Sequence, residues 1–222
     1  MTTSPSLLAE KIYQQALLSG YDDCGIIVTV GFLMEDATKE GAEQNPEEKF
    51  AIVDAASDPK IDNMKGLLFN TAQSSFMAGY LAAGMSQTGK VATFGGLAIP
   101  SVTAFMDGYW EGVQYYNEQN GANVEVLGWD QNKPDAGSMA GGFEDQAKGQ
   151  QLAKNFIQQG ADIIFPVAGP VGLGAAKEAQ STGKADIIWV DSDGYESAPQ
   201  YKDVFLTSVL KKIDIAVKDT IG

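Results

Sequence analysis

The chain is predicted to fold as an α/β protein, with parallel sheets flanked by helices and divided between two lobes. Three observations carry that expectation. Ala161–Val167 is a nearly continuous apolar run, the pattern of a strand buried on both faces. Ala168-Gly169-Pro170 breaks the run, and Gly172 and Gly174 open the helical stretch Ala175–Ala179, so strand, glycine turn and helix follow in the order of a parallel α/β unit. Similar alternations recur along the chain, and there are too many of them for one small sheet.

In chain order, Ser6–Ser19 has apolar residues at Leu8, Ile12, Ala16 and Leu17, a helical spacing stopped by Gly20. Gly25–Val30 is a β-branched strand leading to Gly31-Phe32. Asp36–Gln44 reads as a helix stopped by Asn45-Pro46. Phe50–Val53 is a strand that ends on Asp54; Ser57–Lys65 is a polar loop, and Gly66–Asn70 a short strand. Thr71–Ser86 is a helix. Phe76, Met77, Tyr80, Leu81 and Met85 lie on one face, and the small residues Ala78, Gly79, Ala82, Ala83 and Gly84 leave the other free for close packing.

Lys90–Phe94 is a strand followed by Gly95-Gly96, and Ser101 is expected to cap a helix reaching about Asn120. Val124–Trp129 is a strand, Asp130–Gly142 a long Gly/Pro/Asn/Asp loop, and Asp145–Gln159 a helix. After the opening unit come a strand at Ala185–Val190 ending on Asp191, a polar loop, a strand at Val204–Ser208 and a last helix from about Leu210. No tandem repeat or low-complexity tract interrupts this order.

Composition narrows the chemistry. An apolar fraction of 44% over 222 residues supports a sizeable core, and the net charge of −14 opposes nucleic acid and anionic membrane surfaces as partners. All fifteen basic residues are lysine. Without arginine there is no bidentate fork for phosphate or carboxylate, which tilts the ligand toward a neutral molecule. Without histidine, Ser-His-Asp triads and His-based zinc sites are excluded. Cys24 is the sole cysteine, so no internal disulfide forms, and it reads as a small buried residue. Met1-Thr-Thr-Ser-Pro has neither a basic nor an apolar segment of a signal peptide, and no apolar run approaches the ~18 residues of a membrane span.

Candidate site residues stand where strands end. In open parallel sheets ligands bind outside the carboxyl ends of strands. Those ends carry Gly31-Phe32, Asp54, Gly95-Gly96, Gly169 and Asp191. A carboxylate such as Asp54 or Asp191 accepts hydrogen bonds from hydroxyls or ring N–H groups. Phe143 can stack on a flat ring, and Lys211 can donate to a ligand oxygen. Each has a plainer reading taken alone. Asp54 caps a turn, Asp191 or Asp193 is a solvated loop charge, Phe143 anchors the core, and one of Lys211 and Lys212 is merely solvated.

The same residues carry a family resemblance. Its blocks are Gly20-Tyr21-Asp22, Phe50-Ala-Ile-Val-Asp54, Ser75 to Ala83, Gly89-Lys-Val to Gly95-Gly96, and Phe105 with Gly108-Tyr and Gly112-Val. They continue with Gly142-Phe143-x-Asp145, Gly160 to Gly174, Val190-Asp-Ser-Asp193 and Leu206 to Lys211. Together they resemble the basic-membrane-protein (PnrA-like) family of ABC-transporter solute-binding lipoproteins, from about Ser6 to the end. The resemblance implies a type I periplasmic-binding-protein fold. Its lobes would be residues 1–100 plus 203–222, and 101–202. It implies a non-enzymatic monomer without cofactor or metal that closes on a nucleoside, purine by preference, and hands it to an ABC permease. The location would be extracytoplasmic, held by a lipid anchor.

In this resemblance Phe143 would stack on the base and Asp54 would contact base or sugar. Asp191 would bind the ribose hydroxyls, Gly169 would offer its backbone, and Lys211 would bond the ribose side, with Phe32 at the first lobe's strand end. Family members also carry an N-terminal strand with an Asp-x-x-Phe-Asn-type loop, a lipid-attachment cysteine and further C-terminal strands. The chain is therefore expected to be truncated at both ends. Rival readings are a ligand-sensing module of the same fold and a binder of another small polar solute such as a sugar. A dinucleotide enzyme is a third, but glycines at 169, 172 and 174 are not spaced as G-x-G-x-x-G.

Overall fold

β-Branched residues open the first described element. The computed structural model describes residues 24–57 and 59–222; the helix expected at Ser6–Ser19 and the Gly20-Tyr21-Asp22 block lie outside the described residues. The chain divides into two compact units. One comprises the described residues up to Phe69 together with Lys212–Gly222, and the other is Asn70–Lys211.

In the first unit β1 (Ile27–Val30) leads through a 3-10 turn at Phe32–Met34 into α1 (Glu35–Gln44), followed by β2 (Phe50–Val53) and β3 (Met64–Leu67). The three strands are parallel in the order β1-β2-β3. Residues alternate across this sheet as strand geometry requires. Phe50, Ile52 and Met64 pack with Ala42 of α1, while Ala51, Val53 and Leu67 face the other way. β3 starts two residues before the expected Gly66, because Met64 pairs with Phe50 and is buried against it. Asn63 Nδ2 donates to the carbonyls of Ala42, Asn45 and Glu48 at 2.8–2.9 Å, tying the end of α1 to the approach of β3. Cys24, expected to be buried, is exposed; it precedes the first paired residue of β1 and has no sheet to pack on.

The second unit runs α2 (Thr71–Met85), β4 (Lys90–Gly95), α3 (Pro100–Asn120), β5 (Glu125–Leu127), α4 (Gln146–Gln158), β6 (Ile163–Val167), α5 (Gly172–Thr182), β7 (Asp186–Asp191), α6 (Gly194–Ser197) and β8 (Phe205–Leu210). Its strands form one parallel sheet in the order β5-β4-β6-β7-β8. Val91, Phe165, Ile188 and Val190 point to the face covered by α2 and α3, where Phe105, Tyr109 and Val113 meet them. Phe94, Ile164, Ile187 and Trp189 point to the face covered by α4 and α5, against Phe156, Ala175 and Ala179. Burial on both faces is why these strands read as continuous apolar runs.

α2 packs its small side inward, as expected. A Cβ at Gly108 or Gly112 of α3 would collide with the carbonyls of Ala72 and Phe76, and one at Gly79 with that of Tyr109. The two backbones thus touch, and the bulky side of α2 is left outward, with Met77 67% exposed. This pairing also moves the boundary between units. Residues 70–100 and 203–211, expected in the first lobe, belong to the second unit, because α2 lies on α3 while β4 and β8 lie in its sheet. Ser101 does not cap α3: Ile99 is the N-cap residue, and Pro100 takes the first helical position, where its missing N–H costs nothing. The last helix, α7 (Ile213–Ile221), starts three residues later than expected, because β8 continues to Leu210. α7 returns to the first unit, where Ile213, Ala216 and Val217 cover Ala51, Val53 and Leu67. Among the described residues no helix is long and apolar enough to cross a membrane.

Candidate functional site

The order β5-β4-β6-β7-β8 reverses direction at β4 and β6, since the chain leaves β4 for β5 on one side and returns to β6 on the other. The carboxyl ends of two such strands open a crevice. Here they carry Gly95-Gly96 and Ala168-Gly169, joined by the Gly96 N–H donating to the Val167 carbonyl at 2.9 Å. On β6's other edge the pairing with β7 stops at Ile164, short of Pro166, which has no N–H to extend it.

The long loop before α4 is laced to the end of β4. Gly95 N donates to Ser138 O, Ala140 N to Gly95 O, and both Gly141 N and Gly142 N to Gly96 O, at 2.8–3.0 Å. Phe143 follows immediately and is half-buried, its ring lying where a Cβ of Gly96 would be. Asp145 then caps α4, accepting from Lys148 N at 3.0 Å. Gly169 adopts φ +52° with open space around its Cα, so the backbone angle rather than crowding selects glycine.

β7 ends on Asp191 at φ +69°, a left-handed conformation that costs an ordinary residue about 1 kcal/mol. Lys211, just past β8, holds it twice: its N–H donates to the Asp191 carbonyl at 2.8 Å, and its Nζ stands 2.8 Å from Asp191 Oδ1. The lysine side chain is only 5% exposed and the aspartate 40%. Nζ also lies 5.2 Å from the centroid of the Phe105 ring, within cation–π range. A buried ammonium thus sits between a carboxylate and an aromatic face, and the carboxylate keeps enough exposure to accept from hydroxyls. Of the two aspartates in Asp191-Ser192-Asp193, the second is a cap, accepting from Tyr195 N at 2.9 Å.

The first unit repeats the motif. Asp54, at the end of β2, has φ +70°, and its N–H donates to Leu67 O at 3.0 Å. Beside it Gly31 N donates to Val53 O, and half-buried Phe32 opens the 3-10 turn. The sequence-derived candidates therefore fall into two sets: Phe143, Gly169, Asp191 and Lys211 on one sheet edge of the second unit, and Phe32 and Asp54 on the first.

Sequence reasoning missed Phe105, whose helical periodicity marks only an apolar face, and it read Gly96 only as part of a strand-end pair. A groove of about 520 Å³ along α2 and α3, lined in part by Ala72, Phe76, Asp107 and Glu111, includes none of the site candidates. Among the described residues no group of three His, Cys, Asp or Glu side chains could hold a metal ion.

At the opposite, amino-terminal edge of the sheet, Asp162 accepts from Ser86 Oγ (2.7 Å), Gln87 N (2.6 Å) and Thr88 N (2.9 Å). Burial, and then the charge of Asp162, holds the Asp186 carboxyl above the usual carboxylate range. The same two causes, burial first, raise the Tyr109 hydroxyl beyond its ordinary range.

A family model described as ABC transporter substrate-binding protein PnrA-like matches residues 10–222. Basic membrane protein A of Borreliella burgdorferi is 33% identical over 205 residues, covering 90% of this chain and 56% of the relative. The ABC transporter nucleoside-binding protein BmpA of Lactococcus lactis is 30% identical over 222 residues, covering 93% of this chain and 58% of the relative. A crystal structure of an ABC transporter system solute-binding protein from Aeropyrum pernix superposes with a TM-score of 0.81 at 32% identity, over 99% of this chain and 59% of that one. The chain spans a little over half the length of these relatives.

Proposed function

The chain belongs to the PnrA-like family of ABC transporter substrate-binding proteins, and from that premise we propose that it captures a nucleoside, purine by preference, for delivery to an ABC permease. The observation that carries this is that the carboxyl end of one sheet presents both a flat ring, Phe143 in the loop laced to the end of β4, and a charge pair able to bind hydroxyls, Asp191 with Lys211 at the ends of β7 and β8. A base and a ribose present those two chemistries in one neutral molecule. The absence of arginine favours such a ligand over a nucleotide. The Lactococcus relative, an ABC transporter nucleoside-binding protein, supports the same reading.

In this reading Phe143 stacks on the base and Asp191 accepts from the ribose hydroxyls. Lys211 donates to the ribose side, and Gly169 offers its backbone. Asp54 and Phe32, at strand ends of the first unit, are that unit's candidate ligand-binding residues. The protein acts outside the cytoplasm as a lipid-anchored monomer, and its work is binding, not catalysis.

A thermal-shift panel tests the reading, because a ligand of the folded state raises stability by RT ln(1 + [L]/Kd). Guanosine, adenosine, inosine, uridine and cytidine are set against ribose, other sugars and amino acids. A rise with nucleosides alone is expected. A rise with sugars or amino acids alone would replace the ligand class and leave the family unaffected.

A further inference from the structure

We propose that Gly96 is a positioning residue for Phe143: its bare α-carbon at the end of β4 is the seat that fixes the orientation of the ring. The inference rests on the reading of Phe143 as the stacking face. Gly96 is held on both sides of its main chain. Its N–H goes to Val167 O at 2.9 Å, and its carbonyl accepts from Gly141 N and Gly142 N at 2.9 and 3.0 Å, the two residues just before Phe143. The volume a side chain would need is occupied by the ring. A Cβ at Gly96 would stand 2.5 Å from Phe143 Cδ1, nearer still to Cε1, and 3.0 Å from Gly142 O.

A half-buried aromatic that rests on hydrogen-bonded backbone has fewer orientations to lose when a base stacks on it, which is how preorganisation raises affinity. Its neighbour Gly95 supplies the contrast. A Cβ there would meet Met139 Sδ at 2.7 Å, Val102 Cγ1 at 2.8 Å and Met106 Sδ at 3.0 Å first, whereas at Gly96 it meets the Phe143 ring first.

The first readout needs no ligand: in the unliganded chain, a strong nuclear Overhauser effect is expected between Gly96 Hα and the Phe143 ring protons. The second is guanosine titration of the parent, Gly96→Ala, Phe143→Ala and the double variant, with Gly95→Ala as the stability control and melting curves for all. Phe143→Ala and Gly96→Ala are each expected to weaken guanosine roughly tenfold, and the double variant no further than Phe143→Ala alone. A missing Overhauser effect overturns the seat whether or not guanosine binds. So does a Gly96→Ala loss that is the same with and without the ring, or an affinity drop in Gly95→Ala equal to that in Gly96→Ala. If Phe143→Ala binds guanosine like the parent, the stacking reading falls, while the Overhauser effect still reports on the seat.

Discussion

Lys211 grips Asp191 through both main chain and side chain, N–H to carbonyl and Nζ to Oδ1, each at 2.8 Å. The left-handed backbone of Asp191 is sustained by this double contact, and the buried ammonium is balanced by the carboxylate it faces. Local strain held in place by surrounding contacts is common where a ligand is bound.

The pair should therefore separate ribose recognition from base recognition. Asp191→Asn is expected to weaken nucleosides by about 1.5–3 kcal/mol, the range for hydrogen bonds to charged groups, and to leave free bases unchanged. Lys211→Met should also cost about 1–3 kcal/mol of stability, less than a fully buried pair because Asp191 reaches water. Calorimetric titration with guanosine and guanine, beside urea melts, checks both. Equal losses for nucleoside and base would remove Asp191 from the ribose.

Tyr109 is wholly buried, and its hydroxyl has no hydrogen-bond partner among the described residues. A buried polar group without a partner carries a desolvation cost that its removal relieves. Tyr109→Phe keeps the ring against Phe165, 5.2 Å away between centroids, and should stabilise the chain by about 1 kcal/mol. A lower urea midpoint would mean that the hydroxyl is satisfied in solution.

Asp162 joins segments far apart in sequence through three charge-assisted hydrogen bonds to Ser86, Gln87 and Thr88. Asp162→Ala should cost about 2–3 kcal/mol. An unchanged denaturation midpoint would show that the turn after α2 holds itself.

Asp186 gives a pH dependence of opposite sign to most carboxylates. Its folded-state pKa is raised, by burial first and by Asp162 second. The folded state then binds a proton more tightly than the unfolded one, so the associated stability is present at acid pH and lost as pH rises through the raised value. Asp186→Asn, which cannot ionise, should exceed the parent at pH 7 by no more than a few tenths of a kcal/mol, on the order seen for exposed charges, because Asp186 is exposed and water screens its repulsion from Asp162. The difference should shrink toward zero below the carboxylate range. Melting curves at pH 3 to 8 measure it; a gain independent of pH would assign the effect to something other than ionisation.

Strand ends were legible in the sequence because apolar runs stop abruptly at glycine or aspartate; Phe50–Val53 with Asp54 is an instance. What was not legible depends on partners distant in sequence. Met64 belongs to β3 only because it pairs with Phe50. Pro100 and Ser101 offer competing helix starts, and the one needing no hydrogen bond prevails. Lys211 and Lys212 are adjacent and chemically identical, yet one is buried and the other exposed, because β8 carries the first up to Asp191. The expected lobe boundary near residue 100 missed the docking of α2 on α3, which depends on Gly108 and Gly112, about forty residues downstream of its start. At the site, residue types were visible; the seat of Phe143 on Gly96 and the aromatic floor under Lys211 were not, since both arise between elements.

The return of α7 to the first unit sets an order of assembly during synthesis. A ribosome delivers Ala51, Val53 and Leu67 early, but the helix that covers them emerges only after all of Asn70–Lys211 has been made. The second unit is continuous, and its α2–α3 contact is close in sequence, so it can consolidate at once. Until α7 has been made, Ala51, Val53 and Leu67 lack the contacts that Ile213, Ala216 and Val217 supply. Mutations that slow the second unit, at Gly108 or Gly112 for example, therefore prolong the exposure of a surface they never touch, and their cost will appear as lost yield of folded protein as well as lost stability.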